Sequence, residues 1–170
     1  SENINEAIQQ AETVLEKFPN LYHMYWQQFF AKKIGFDYVS EETNALVDQF
    51  LKIMQSERLD FTRTFDHLST GTLSAPAFNP WIRSWETELS NKNLTVGMAQ
   101  KQMRCVNPVI TVRNHILESV IDEVGETGQM NSFQDLLVAL RQPYTETNRM
   151  NGLYPPKPFE IPRTVTYCGT

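Results

Sequence analysis

Apolar residues three and four apart recur in segment after segment of this chain, and no stretch alternates apolar with polar residues for long enough to build a sheet. That periodicity restricts the chain to an all-α fold. Over residues 2–18, Ile4, Ala7, Ile8, Ala11, Val14, Leu15 and Phe18 line one helical face. Pro19 is expected to end that helix, because an interior proline removes a hydrogen bond and crowds the preceding turn. Residues 20–33 hold Leu21, Tyr22, Met24, Tyr25, Trp26, Phe29 and Phe30, a density that predicts a central helix covered on more than one side, with Gly35 as its stop.

Capping residues mark the next starts. Ser40 precedes Glu41 and Glu42, and the stripe Leu46, Val47, Phe50, Leu51 and Met54 follows. Asp60 is placed to cap a short helix carrying Phe61, Phe65 and Leu68, after which residues 69–78 read as a loop. Asn79 is the expected N-cap and Pro80 the N1 residue of a helix with Trp81, Trp85 and Leu89 on one face, and Thr95 caps another through Met103. Asn107-Pro108 interrupts the pattern, since a residue before proline is pushed out of the α region.

Periodicity resumes with Ile116, Leu117, Val120, Ile121 and Val124, with Asn114 as the expected cap, Arg113 free to bridge an acid or carbonyls, and Gly125 and Gly128 as stops. Ser132 opens a last helix, where Phe133, Leu136, Leu137 and Leu140 share a face before Pro143. Seven or eight helices over residues 1–141 result, and strand-like residues 109–112 are too short and isolated for a sheet. Five of the nine prolines (Pro143, Pro155, Pro156, Pro158 and Pro162) fall in residues 142–170 with Tyr144, Tyr154, Phe159 and Tyr167 between them. This part reads as a tail laid in extended form over a surface.

Composition narrows the function classes. With 41% hydrophobic and 21% charged residues the chain is an ordinary globular one, and 170 residues suffice for a core without staples. The net charge of -5 and the scatter of 15 Lys and Arg argue against a nucleic-acid partner, and no apolar run approaches the roughly 18 residues of a membrane span. Two cysteines fit a reducing compartment rather than a disulfide framework. A first residue of Ser rather than Met suggests a piece of a longer polypeptide.

Little in the sequence carries chemistry. His23, His67 and His115 are far apart with no metal-ligand spacing, and Glu41-Glu42, Glu86/Glu88 and Asp122-Glu123 read as solvated helix faces. There is no phosphate loop, dinucleotide fingerprint, kinase motif or serine elbow, so no catalytic, cofactor-binding or metal-binding residue is assigned within this chain. Cys105, beside Met103 and Val106, is expected to be a small core residue. Cys168, the third residue from the end of the proline-rich tail, is a candidate redox thiol.

The ordered motifs resemble the C-terminal part of the selenoprotein O family, whose bacterial members are called YdiU. The resembling pieces are residues 31–36 (AKKIGF), 59–68 (LDFTRTFDHL), Trp81 and Trp85, 103–121 with Asn107, Pro108, Arg113 and Asn114, 133–144, Tyr154-Pro155-Pro156, and the closing Tyr167-Cys168-Gly169-Thr170. The resemblance implies a pseudokinase-fold enzyme that transfers AMP from ATP, with Mg or Mn, to hydroxyls of protein substrates. Its nucleotide, metal and catalytic residues would lie upstream of this chain. The implied partners are the kinase-like core of the same polypeptide and the protein substrates, in the cytoplasm for bacterial members and in mitochondria for eukaryotic ones. Cys168 falls where some members bear selenocysteine, which strengthens its redox reading. The competing expectation is a stand-alone helical interaction module without catalytic activity.

Overall fold

A computed structural model describes residues 2–145, with side chains from Ile4 onward. Among these residues there are seven α-helices and no strand: α1 (Glu2–Lys33), α2 (Glu41–Ser56), α3 (Phe61–Thr70), α4 (Asn79–Asn91), α5 (Val96–Arg104), α6 (Asn114–Thr127) and α7 (Asn131–Arg141). The expected tail lies outside the described residues from position 146 on.

Two sequence expectations fail at α1. Pro19 does not break the helix, which runs on through it. The carbonyl one turn earlier, at Leu15, loses its donor, but residues 4–25 are exposed and solvent can satisfy it, so the defect costs less than in a packed interior. Residues 20–33 are not a central helix either. Tyr22, Tyr25 and Phe29 are exposed, and only Trp26, Phe30 and Ala31 of that segment join the core, because α1 meets the rest of the fold through its last turns.

The main core explains the remaining spacings. α2, α3, α4 and α5 enclose Phe36, Phe50, Phe65, Phe78, Trp81, Trp85 and Met103, all buried. Phe50 sits at the centre of the ring cluster, 4.9 Å from Phe65, 4.9 Å from Phe78 and 4.7 Å from Trp81 between centroids. Each buried Phe contributes about 1.5–3 kcal/mol of transfer free energy. Both indoles find acceptors: Trp81 Nε1 donates to the Leu46 carbonyl at 2.8 Å and Trp85 Nε1 to the Ile34 carbonyl at 2.8 Å. The i, i+4 tryptophans of α4 thereby fasten it to α2 and to the end of α1.

Local signals place most boundaries. Ser40 and Thr43 form a reciprocal capping box, and Asp60 and Thr95 accept from the backbone amides of Arg63 and Met98. Gly71 and Gly128 close α3 and α6 in the left-handed conformation. The expected loop at 69–78 is shorter, since α3 reaches Thr70 and Pro76–Phe78 make a 3-10 turn. Asn79 and Asn114 are the first residues of α4 and α6 rather than their caps, and Gly125 lies inside α6. Ser132 lies inside α7, where its hydroxyl donates to Glu123 Oε2 at 2.6 Å across the α6–α7 hairpin instead of capping. That hairpin has its own small cluster of Val109, Ile110 and Ala139, with Leu140 against it. Residues 109–112 form no strand, and the Val109 amide donates to the Pro143 carbonyl at 2.8 Å.

Candidate functional site

The residues that carry the motif string converge on two polar junctions. Asn107, expelled from helix by Pro108, is buried at the end of α5. Its Nδ2 donates to the Lys33 carbonyl at 2.8 Å and to Ser69 Oγ at 2.9 Å, and its Oδ1 accepts from Lys33 Nζ at 3.2 Å. One amide thus ties together the ends of α1, α3 and α5. Lys33 Nζ also lies 5.5 Å and 5.0 Å from the ring centroids of Phe61 and Phe65, and burial lowers its pKa below the ordinary lysine value.

The second junction joins Asp60 to Arg113, 53 residues apart. Arg113 Nη2 lies 2.8 Å from each carboxylate oxygen, while Asp60 Oδ1 also accepts from the Arg63 amide at 2.9 Å. The expectation that Arg113 bridges an acid is met, and the acid is the α3 cap. Beside this pair a groove of about 400 Å³ opens along residues 57–60, 63–64 and 72–75, with Leu59 and Leu73 in its lining and His67 Nδ1 2.7 Å from Thr72 Oγ1 at its edge.

A third polar group bridges α4 to the segment before α2. The Tyr38 hydroxyl donates to Glu88 Oε1 at 3.2 Å, and Asn91 Nδ2 donates to Glu88 Oε2 at 3.2 Å. Burial, then the Glu88 charge, raises the Tyr38 pKa above its ordinary 10.0. A raised folded-state pKa gives stability that is fully present below the unfolded value and is lost as pH rises past it. Lys33, lowered from 10.5, acts in the opposite sense, since the unfolded chain then holds the proton more tightly. Tyr38→Phe should therefore lose less stability than the parent above pH 10, as measured by urea unfolding; identical alkaline slopes would remove Tyr38 from the account.

The sequence candidates do not gather. His23 is exposed and stacks on Trp26, while His67 and His115 stand on α3 and α6. Among the described residues no three His, Cys, Asp or Glu side chains assemble as metal ligands. Cys168 lies outside the described residues. Cys105 is not a core residue: it is exposed at the C-cap of α5, and its Sγ donates to the Lys101 carbonyl at 3.4 Å. Two residues after the buried Met103 are about 200° of helical rotation, which turns Cys105 to the opposite side. Brief iodoacetamide treatment of the native protein should accordingly alkylate Cys105, and its protection in a peptide map would contradict this placement.

Sequence reasoning also missed the length of the apolar face on α1, because Pro19 divides it on paper. The junctions it could only half see: the amide of Asn107 and the acid of Asp60 were visible, their partners were not.

A family model described as protein adenylyltransferase SelO matches residues 3–141. The protein nucleotidyltransferase YdiU of Bacillus cereus (strain AH187) is 31% identical over 176 residues, covering 99% of this chain and 36% of the relative. Those of Geobacillus kaustophilus (strain HTA426) and Alkaliphilus metalliredigens (strain QYMF) are 30% and 29% identical with the same coverage. The chain spans about a third of the length of these relatives.

Proposed function

The chain belongs to the protein adenylyltransferase SelO family, and from that membership we propose that it is the helical C-terminal region of an enzyme that moves AMP from ATP to hydroxyls of protein substrates, with release of pyrophosphate. Its part would be structural and regulatory. The observation that carries this reading is the use made of the motif residues: Asp60, Trp81, Trp85, Asn107 and Arg113 are all engaged in bonds that hold helices together.

ATP with Mg or Mn is the cofactor pair this reading brings. The described residues do not fit such a metal, because Asp60 is held by Arg113 and Glu88 by Tyr38 and Asn91, and no third ligand stands near either. The nucleotide and metal would then be held by the kinase-like core elsewhere in a longer polypeptide. Calorimetry of this chain with Mg-ATP should show no binding, and labelled ATP should leave no label on protein. Micromolar binding or transferred label would put the active site here instead.

Cys168 belongs to the same reading as a redox element of the tail, forming a disulfide with a core cysteine as two thiols yield two protons and two electrons to an oxidant. A Cys168→Ser enzyme whose activity responds to oxidant as the parent does would remove that role. With bacterial relatives the compartment would be the cytoplasm, and for a eukaryotic member the mitochondrion; no helix among the described residues is long and apolar enough to cross a membrane. The exposed apolar face of α1 favours a second reading, a stand-alone helical interaction module. The length of the gene separates the two.

A further inference from the structure

Once α1 is seen to be continuous through Pro19, its apolar residues form a single pattern. Ile8, Ala11, Leu15, Phe18, Tyr22 and Tyr25 follow one another at spacings of three and four in strict turn, and Ile4 and Phe29 continue it at either end. That is a heptad seam about 38 Å long at 1.5 Å per residue. Every one of its side chains is exposed, the large ones by 50–69%. The seam belongs to neither hydrophobic cluster. A helix with such a face is ordinarily stabilised by covering it.

We propose that this seam is the surface on which α1 packs against the part of the longer polypeptide that the relatives carry outside the span matched here. The inference rests on the reading of the chain as one region of a larger enzyme. Three observations select this occupant over a second copy of the chain. The relatives are nearly three times as long as the span they share with this chain, so the longer polypeptide of that reading has a large body to set against the seam. Val14 and Leu21, also exposed, widen the seam on one side into a face broader than a two-stranded coil uses. The residues in its second half are Phe18, Tyr22, Tyr25 and Phe29, and such rings suit a receiving surface with pockets better than the Leu and Ile knobs of a paired helix. Glu6, Glu12 and Glu16 against the single Lys17 make the first half of the arm acidic, so the receiving surface should be apolar with basic residues at that border.

The test uses the polypeptide as its gene encodes it. A photo-crosslinking benzoylphenylalanine in place of Leu15 should, on irradiation, join residues outside this chain within the same molecule, while the same group in place of Thr13, on the opposite side of α1, should not. Leu15→Lys should lower the melting temperature of that polypeptide by several degrees and Thr13→Lys should leave it unchanged. Crosslinks from position 15 to a second copy, to residues 146–170, or to nothing would overturn the proposal. Label transfer from ATP to protein, followed in parallel, keeps the two ideas apart: its absence beside the expected crosslinks defeats the enzymatic reading and leaves the interface standing, and its presence without them does the reverse. A gene encoding these residues alone defeats both.

Discussion

Gly35→Ala should destabilise the fold by about 2–5 kcal/mol, a loss large enough to unfold much of a marginal domain at physiological temperature. Gly35 follows α1 at φ +90, where its amide donates to the Lys32 carbonyl and the next amide, that of Phe36, donates to the Ala31 carbonyl. A side chain in left-handed backbone costs about 1–2 kcal/mol. The second contribution is steric. A Cβ here would lie 2.6 Å from Ala99 Cβ, 3.1 Å from its Cα and 3.2 Å from its carbonyl oxygen, atoms that belong to the backbone and first carbon of α5 and have no rotamer to escape into. Overpacking of that kind adds about 1–3 kcal/mol, because α1 and α5 must separate. Gly128→Ala is the natural control: its φ of +69 brings the same strain, but nothing lies within 4 Å of the added carbon. Urea unfolding of the two variants isolates the steric part, and equal losses would show that α1 and α5 do not approach as closely as described.

What the sequence made legible was what one turn of chain can express. Ser40, Asp60 and Thr95 were readable as caps because a cap and its amide are three residues apart. Trp81 and Trp85 were readable as core because their spacing is that of one helix face. Pro19 was misread because the cost of a lost hydrogen bond depends on whether the orphaned carbonyl is wet, and burial is a tertiary property. Cys105 was misread because apolar neighbours in sequence stand on different sides of a helix. The partners of Asn107, 74 and 38 residues away, were beyond any local rule. Of the candidate site itself, Arg113 was readable as a bridge to backbone carbonyls or to an acid, and it took the fold to show that the partner is an acid and that the acid is Asp60.

Asp60→Ala should cost about 2–4 kcal/mol, and the damage should fall unevenly on the molecule. The carboxylate performs two tasks, accepting from the Arg63 amide as the α3 cap and holding Arg113 Nη2 at 2.8 Å. Loss of the cap is worth about 0.5–2 kcal/mol. Loss of the partner strands a guanidinium whose side chain is only 26% exposed, a further penalty of about 1–3 kcal/mol for an unpaired, partly buried polar group. Asp60→Asn separates the tasks, since an amide oxygen can still cap while the charge is gone, and should lose about half as much. A cycle with Arg113→Met should give a coupling energy above about 1 kcal/mol. The pair links α3, in the main core, to the start of α6, and α6 with α7 rests on a separate, smaller cluster. Without it the hairpin keeps the Val109 and Ile110 amides on the Pro143 carbonyl but loses its ionic tie to the body. Hydrogen exchange in Asp60→Ala should therefore quicken in α6 and α7 well before α2 and α4. A uniform rise across all helices would mean that the pair stabilises the fold as a whole rather than fastening one part to another, and a vanishing coupling energy would leave the cap as the sole task of Asp60.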